Sequence, residues 1–420
     1  MATLSQLQLR DIFISSHPNV HYGLGEWRRY VGGIWEPIEE SVVRRLLQTV
    51  IASYDSDLVT NHIIVSVTAL LRDVVTIPGH LFDSNPNLIL YNDCGFDLRT
   101  GTTVPHSETH YALSKLPYNY DPTATSPQWE TFLKCCPYPE FLQEFAGYCL
   151  TTDTKHELAV WLYGPPGGGK STFIEGLRAM LGSKATNLGL WEIERSTFGL
   201  GRIPGKTLAI SAEQPSMFIR SHHVLNALIS GEMLSVERKF RDPIDIESHV
   251  KILWAMNDLP KVESSGIGLF RRVVPVLWPA LSAFDRDISI KEGIKKSGMA
   301  VTNWAMIGLT RLLERGNFEI PPELLAEREM YRISNDVIQL FVDAECNEHP
   351  DNEVRSSVLY EHYVKWNKAN GHKQLASNRF AAEMRRIGFE KVRRYDGWYW
   401  LKIDIKIDEA EPFNIDNLLR

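Results

Sequence analysis

The sequence predicts an α/β fold built around a parallel sheet, and three stretches carry that prediction. The unbroken apolar run 158–163 passes directly into a glycine-rich loop. That loop leads into 173–181, where Phe173, Ile174, Leu177, Met180 and Leu181 recur with helical period. Two later runs, 207–212 and 250–256, have the length and continuity of strands buried on both faces. Near the C-terminus, two helical patterns precede a basic, aromatic hairpin pattern. The expected organisation is a mostly helical N-terminal module over 1–125, an α/β core over 126–320, a third domain over 321–404 and an acidic tail over 405–420.

Composition narrows the possible partners. The 420 residues suffice for two or three domains. A formal net charge of −7 means that any nucleic-acid contact must come from local basic patches. The five cysteines, Cys94, Cys135, Cys136, Cys149 and Cys346, contain no C-x-x-C pair and predict a reducing compartment. Neither a signal-peptide start nor a run of 18 apolar residues is present, so a cytoplasmic protein without membrane contact is expected.

In chain order, residues 1–20 predict a short helix ending near Pro18. Residues 22–35, dense in aromatics around Gly23, Gly25 and Gly32-Gly33, predict a hairpin. Trp27, Tyr30 and Trp35 there suit either a small core or base stacking. Helices are expected over 38–54 and 61–76, and a hairpin over 89–101 with turns at Asn92-Asp93 and Thr100-Gly101. Residues 117–127, rich in Pro, Asn, Asp and Ser, read as a linker. Helical pattern resumes at 129–133 and 141–150.

The loop itself runs Gly164-Pro165-Pro166-Gly167-Gly168-Gly169-Lys170-Ser171-Thr172, a G-x-x-x-x-G-K-[ST] pattern in its required strand–loop–helix context. Glycines let backbone N–H groups close around phosphates, and the helix N-terminus adds partial positive charge. Lys170 is expected to reach the β/γ-phosphates of ATP, and Ser171 to hold Mg²⁺. Glu213 ends the second strand, where a carboxylate can bind the metal or position water. Asn257 ends the third strand, where its amide can meet the γ-phosphate; the alternative is a local Asx turn. Arg271 and Arg272 precede a fourth apolar strand. An arginine donated by a neighbouring subunit stabilises charge on a transferring phosphoryl group, whereas an arginine pair taken alone reads as a solvated face. Between the second and third strands, residues 235–240 alternate like a strand and Asp242-Pro243 suggests a turn. Arg238, Lys239 and Arg241 around Phe240 suit contact with single-stranded DNA, or else form a charged hairpin edge.

Taken together, the phosphate loop, LAISAEQ (208–214), ISGEMLSVERKFRDP (229–243), ILWAMND (252–258) and GIGLFRRVVPV (266–276) resemble a superfamily 3 helicase. The similarity is to the helicase part of phage, plasmid and poxvirus primase–helicases. NPNLILYNDCGFDLRTGTTVPH with LPYNYDP, and VTNWAMIGLTRLL at 301–313, extend it over roughly residues 20–400. The resemblance implies an AAA+-like homo-hexameric ring that hydrolyses ATP at subunit interfaces and tracks along one DNA strand. It further implies that Lys170, Ser171, Glu213 and Asn257 are the phosphate, metal, acidic and sensor residues. Arg272 is the first choice for arginine finger, Arg271 the second, and Lys239 with Phe240 the DNA-contacting hairpin. The second motif lacks the paired acidic residues of many members, so Glu213 is left as its single carboxylate. No room precedes residue 20 for a primase domain, so a separate primase or polymerase is the expected partner.

In the C-terminal quarter, helices are expected over 324–330, 337–346, 356–369 and 378–387, with His349 to Glu353 breaking the pattern, Ser377 as a cap and a hairpin turning at Asp396-Gly397. This is the layout of a winged helix. Residues 361–403 hold ten Lys/Arg against four Asp/Glu. Arg379, Arg385 and Arg386 on the second helix and Arg393 and Arg394 on the wing are placed for duplex phosphates; the alternative is protein contact. The expected function is an ATP-dependent DNA helicase acting in replication of a phage, plasmid or other mobile element. An ATP-regulated origin-binding initiator or loader is the alternative, and a non-motor P-loop kinase a more distant one.

Overall fold

A five-stranded sheet organises the larger part of the chain. Its spatial order is Val273–Leu277, Ala159–Tyr163, Lys251–Met256, Leu208–Ser211, Ala185–Asn187, and all neighbours are parallel. The computed structural model describes residues 4–215, 218–219, 222–262, 267–280, 288–371 and 374–406. Every residue of Lys251–Met256 is buried, as is all of Ala159–Tyr163 but its last. Such burial explains why these strands read as continuous apolar runs rather than alternating ones. The helix Lys170–Leu181 lays Phe173, Ile174, Leu177, Met180 and Leu181 into the same core. Helices Pro139–Tyr148 and Gly298–Arg315 pack against each other in the same layer. Two glycines permit that contact: a Cβ on Gly147 would lie 2.5 Å from Ala305 O, and one on Gly308 2.4 Å from Gln143.

Residues before the core form helices Gln6–Ser16, Glu40–Tyr54 and Asn61–Val74, a sheet of Val20–Gly23, Glu26–Val31 and Ile34–Ile38, and a meander of Leu88–Leu90, Gly95–Asp97 and Thr102–Val104. The two hairpins expected within this module are three-stranded sheets at 20–38 and 88–104, built of strands of three to six residues. Trp27 and Trp35 are core residues, each 2% exposed.

The supposed linker at 117–127 is a packed strap. Tyr118 Oη bonds Met180 O and Thr302 Oγ1, while Asn303 Nδ2 donates to Asp121 O and Ala124 O, both at 2.9 Å. N-terminal and core regions accordingly belong to one compact unit, Met1–Arg328. The second unit, Glu329–Arg420, runs helix Val337–Glu345, strand Cys346–Arg355, helices Ser356–Ala369 and Ser377–Arg386, then hairpin Lys391–Arg394/Gly397–Ile405. Its sheet order places Gly397–Ile405 between the other two strands. The segment around His349 is extended strand with a register shift between Glu348 and Glu353. Ser377 is the first helical residue rather than the cap, which is Ala376. Arg394 pairs with Gly397, so the hairpin turns one residue early, at Tyr395-Asp396. Among the described residues no helix is long and apolar enough to cross a membrane.

Candidate functional site

Parallel pairing brings the carboxyl ends of the central strands to one edge of the sheet. Tyr163 is in register with both Met256 and Leu277. Gly164 and Asn257 therefore leave the sheet side by side, and Gly164 N–H donates to Asn257 O at 3.1 Å. The next strand, Leu208–Ser211, pairs Ser211 with Trp254. Its continuation is fixed by Gln214, whose N–H donates to Ala255 O at 2.7 Å and whose Oε1 accepts from Leu190 N–H at 3.0 Å. Glu213 stands between these anchors and is exposed, as is Asn257. The edge thus presents the glycine loop, Asn257 and Glu213 in that spatial order.

Helix Lys170–Leu181 starts directly from Gly169, and no side chain caps it. Its first-turn N–H groups are left to an external acceptor, with the positive end of the helix dipole behind them. Gly164, Gly167 and Gly169 all adopt positive φ, as the tight loop requires. Lys170 is buried, with Nζ donating to Gly164 O at 2.6 Å and Pro165 O at 2.8 Å. Burial pushes its pKa down, so a bound polyphosphate would stabilise the charged form. Pro165, Pro166 and Gly167 are exposed, Gly168 is buried, and Ser171 and Thr172 are half-buried.

The arginine pair lies elsewhere, and its two members differ. Both precede Val273, the start of a strand parallel to Ala159–Tyr163, so they sit at the sheet edge opposite their own loop. Five residues of strand separate the two edges, about 16 Å. Arg272, the preferred finger, is folded into its own subunit. Its guanidinium pairs with Glu157 at 2.7 Å and donates to Ser230 Oγ and Gly268 O, each at 2.9 Å. Its side chain is only 9% exposed, with these donors engaged inside its own subunit. Arg271 is the projecting member, its side chain 68% exposed and 3.5 Å from Glu157.

The hairpin between the second and third strands is Met233–Arg238 paired with Arg241–Glu247. It turns at Lys239-Phe240, not at Asp242-Pro243, which lies within the second strand beside the register shift where a proline is tolerated. Phe240 sits at the tip with φ +60° and 93% exposure, and Lys239 Nζ lies 5.1 Å from its ring centroid. The flanking arginines are engaged with the N-terminal region. Glu26 of the N-terminal sheet pairs with Arg241, with Arg28 and, at 3.8 Å, with Arg238. Arg238 also donates to Leu24 O at 2.9 Å.

In the second unit, Arg379, Arg385 and Arg393 are exposed. Two others are engaged: Arg386 with Asp336 (2.6 Å) and Glu383, and Arg394 with Glu353 at 2.9 Å. Tyr395 at the turn is fully exposed, and Arg393 stands over the half-exposed Trp398 ring at 5.5 Å. Sequence reasoning missed Glu26, Tyr395, Trp398 and above all Trp278. Buried beside the loop, Trp278 donates its indole N–H to Gly168 O at 2.6 Å. The one available signal was an aromatic immediately after a strand end.

Three family models match successive parts of the chain: "D5 N terminal like" over residues 9–136, "Family of unknown function (DUF5906)" over 162–272, and "Poxvirus D5 protein-like" over 333–411. No curated protein matches it. Among solved structures, an A-form apo structure of the NrS-1 C-terminal region is similar with TM-score 0.52 and 11% identity, covering 95% of this chain and 98% of that one. Another apo structure of that region gives TM-score 0.51 at 11% identity, covering 96% and 100% respectively. The likeness shows a shared fold. D5-type family matches lie on either side of the glycine loop.

Proposed function

We propose that this chain is an ATP-dependent DNA helicase of the superfamily 3 kind, a ring-forming motor acting in replication of a phage, plasmid or other mobile element. The observation that carries the proposal is the division of the sheet. Loop, Asn257 and Glu213 share one edge, and Arg271 projects from the opposite edge, about 16 Å of strand away. Arg271 cannot serve its own loop, but in a head-to-tail ring it would face the loop of the next copy.

In this reading the loop and helix N-terminus hold the ATP phosphates, and Lys170 exchanges the carbonyls of Gly164 and Pro165 for phosphate oxygens. Glu213 orients the attacking water, Asn257 meets the γ-phosphate, and Arg271 of the adjacent copy stabilises charge as the phosphoryl group leaves. A magnesium ion fits the donor set: the Ser171 hydroxyl and the Glu213 carboxylate are hard oxygen donors. Such an ion takes the rest of its shell from phosphates and water. Bound there, it would neutralise phosphate charge.

DNA contact falls to the hairpin tip, Lys239 and Phe240, where a cation and an exposed ring suit a single strand. The helix–strand–helix–helix–hairpin order of the second unit is that of a winged helix, with Arg379, Arg385 and Arg393 available for phosphates. A homo-hexamer with a separate primase or polymerase completes the proposal. Strand displacement on a tailed duplex tests it. Release of the labelled strand that needs ATP and is lost in Lys170→Ala supports the motor; ATP hydrolysis without displacement on any tail polarity leaves the initiator or loader reading instead.

A further inference from the structure

We infer that Trp278 is a positioning residue for the phosphate loop, one that sets nucleotide affinity through a single indole hydrogen bond. This rests on the nucleotide-binding reading above and extends it to a residue outside the loop and its motifs.

Three features converge on Trp278. Its indole N–H donates to Gly168 O at 2.6 Å, and its backbone N–H donates to Tyr163 O at 2.7 Å, so one residue grips both the entrance and the crown of the loop. The loop is moulded to the segment that follows. A Cβ on Gly164 would stand 2.5 Å from Trp278 O, and one on Gly168 2.2 Å from Pro279 O, so both positions exclude any side chain. The ring is fixed in turn, stacked near Phe132 at 6.3 Å and tilted against Phe173 at 5.7 Å.

Burial alone does not bring an indole to a carbonyl. Trp27, Trp129 and Trp400 are equally enclosed, yet their indole N–H groups meet no acceptor among the described residues. The consequence at Trp278 is geometric. A trans peptide is planar with its C=O and N–H opposed. Holding Gly168 O against the indole therefore turns the Gly169 N–H away from it, as an anion-binding donor rather than a group free to rotate. The strand that ends just before Trp278 begins next to Arg272. Loop geometry and the arginine pair are thus anchored on one five-residue rod.

The test is steady-state ATP hydrolysis by the full chain with Trp278→Phe, which keeps an aromatic ring between Phe132 and Phe173 but removes the donor. A second variant carries 3-benzothienylalanine at position 278, which keeps the two-ring shape and removes only the N–H. Loss of one net hydrogen bond predicts a KM for ATP raised about five- to tenfold in both, with kcat within about twofold of wild type. A purely structural role would lower the active fraction, and so kcat, at constant KM. Unchanged KM in the folded benzothienyl protein, where Lys170→Ala abolishes hydrolysis, would overturn this proposal alone. Absence of hydrolysis in the wild type, or its persistence in Lys170→Ala, would overturn the nucleotide reading and this inference with it.

Discussion

Replacing Glu26 by glutamine should loosen the hairpin that carries Lys239 and Phe240. The Glu26 carboxylate, 16% exposed, is shared by three guanidinium groups. Two of them, on Arg28 and Arg238, have side chains only 5% and 10% exposed. Glutamine keeps the shape but removes the paired charge, leaving Arg28 the field of Asp83 alone among the carboxylates that act on it. Breaking a fully buried pair costs about 3–5 kcal/mol. Here carbonyls share the load: Arg28 also donates to Gly23 O and Trp35 O, and Arg238 to Leu24 O. The expected cost is therefore about 2–3 kcal/mol. Hydrogen exchange is the suitable assay because it reads local opening without requiring the whole chain to unfold in one step. Amides of residues 20–31 and 233–247 should exchange about 30- to 150-fold faster in Glu26→Gln, while those of 159–163 stay unchanged. Arg241→Gln, removing a partner whose side chain is 40% exposed, should cost less than about 1 kcal/mol. Equal protection of both segments in wild type and Glu26→Gln would refute the claim that the N-terminal sheet holds the hairpin through this carboxylate.

Phe240→Ala should reduce stimulation of ATP hydrolysis by single-stranded DNA, with a stacking loss of about 1–3 kcal/mol in DNA affinity, and leave hydrolysis without DNA intact. Arg272→Ala should lower the urea midpoint, because it leaves Glu157 and Ser230 without their buried partner; Arg271→Ala should not. Burial pushes the Lys251 ammonium down to about 7, against about 10.4 in an unfolded chain. Between those values the unfolded chain binds the extra proton, so stability rises with pH. Unfolding free energy should climb by about 1 kcal/mol per pH unit from pH 7 to 9 in wild type relative to Lys251→Met.

Local chemistry made much of the core legible. The glycine loop, its strand and its helix were readable because buried parallel strands, positive-φ glycines and helical period each leave a distinct mark. What sequence could not give was spatial order. Nothing in the chain says that 251–256 inserts between the strands leading to Gly164 and Glu213, yet that insertion sets Asn257 beside the loop. Nor could it separate Arg271 from Arg272. Adjacent residues on helix Ile267–Arg272 point about 100° apart, so the helix phase decides which one is buried against Ser230. Composition misled at 117–127, where polar turn residues look alike in a linker and in a strap; Tyr118 was the overlooked anchor. Asp-Pro misled at 242–243 because a register shift absorbs the proline while Lys239 and Phe240 make the turn. Glu26 was unreadable, since two of its three partners, Arg238 and Arg241, lie far from it in the chain.

The claim on which the account depends is that each ATP site is completed by Arg271 of another copy, and mixing two inactive variants tests it most directly. Lys170→Ala lacks the loop lysine and Arg271→Ala the projecting arginine, so each alone should fail to hydrolyse ATP. In a randomly mixed, equimolar assembly, a site owned by an Arg271→Ala copy beside a Lys170→Ala copy regains both groups. Activity should return to about one quarter of wild type. Full activity of Arg271→Ala alone, or no recovery on mixing two variants that assemble together, would contradict the shared site.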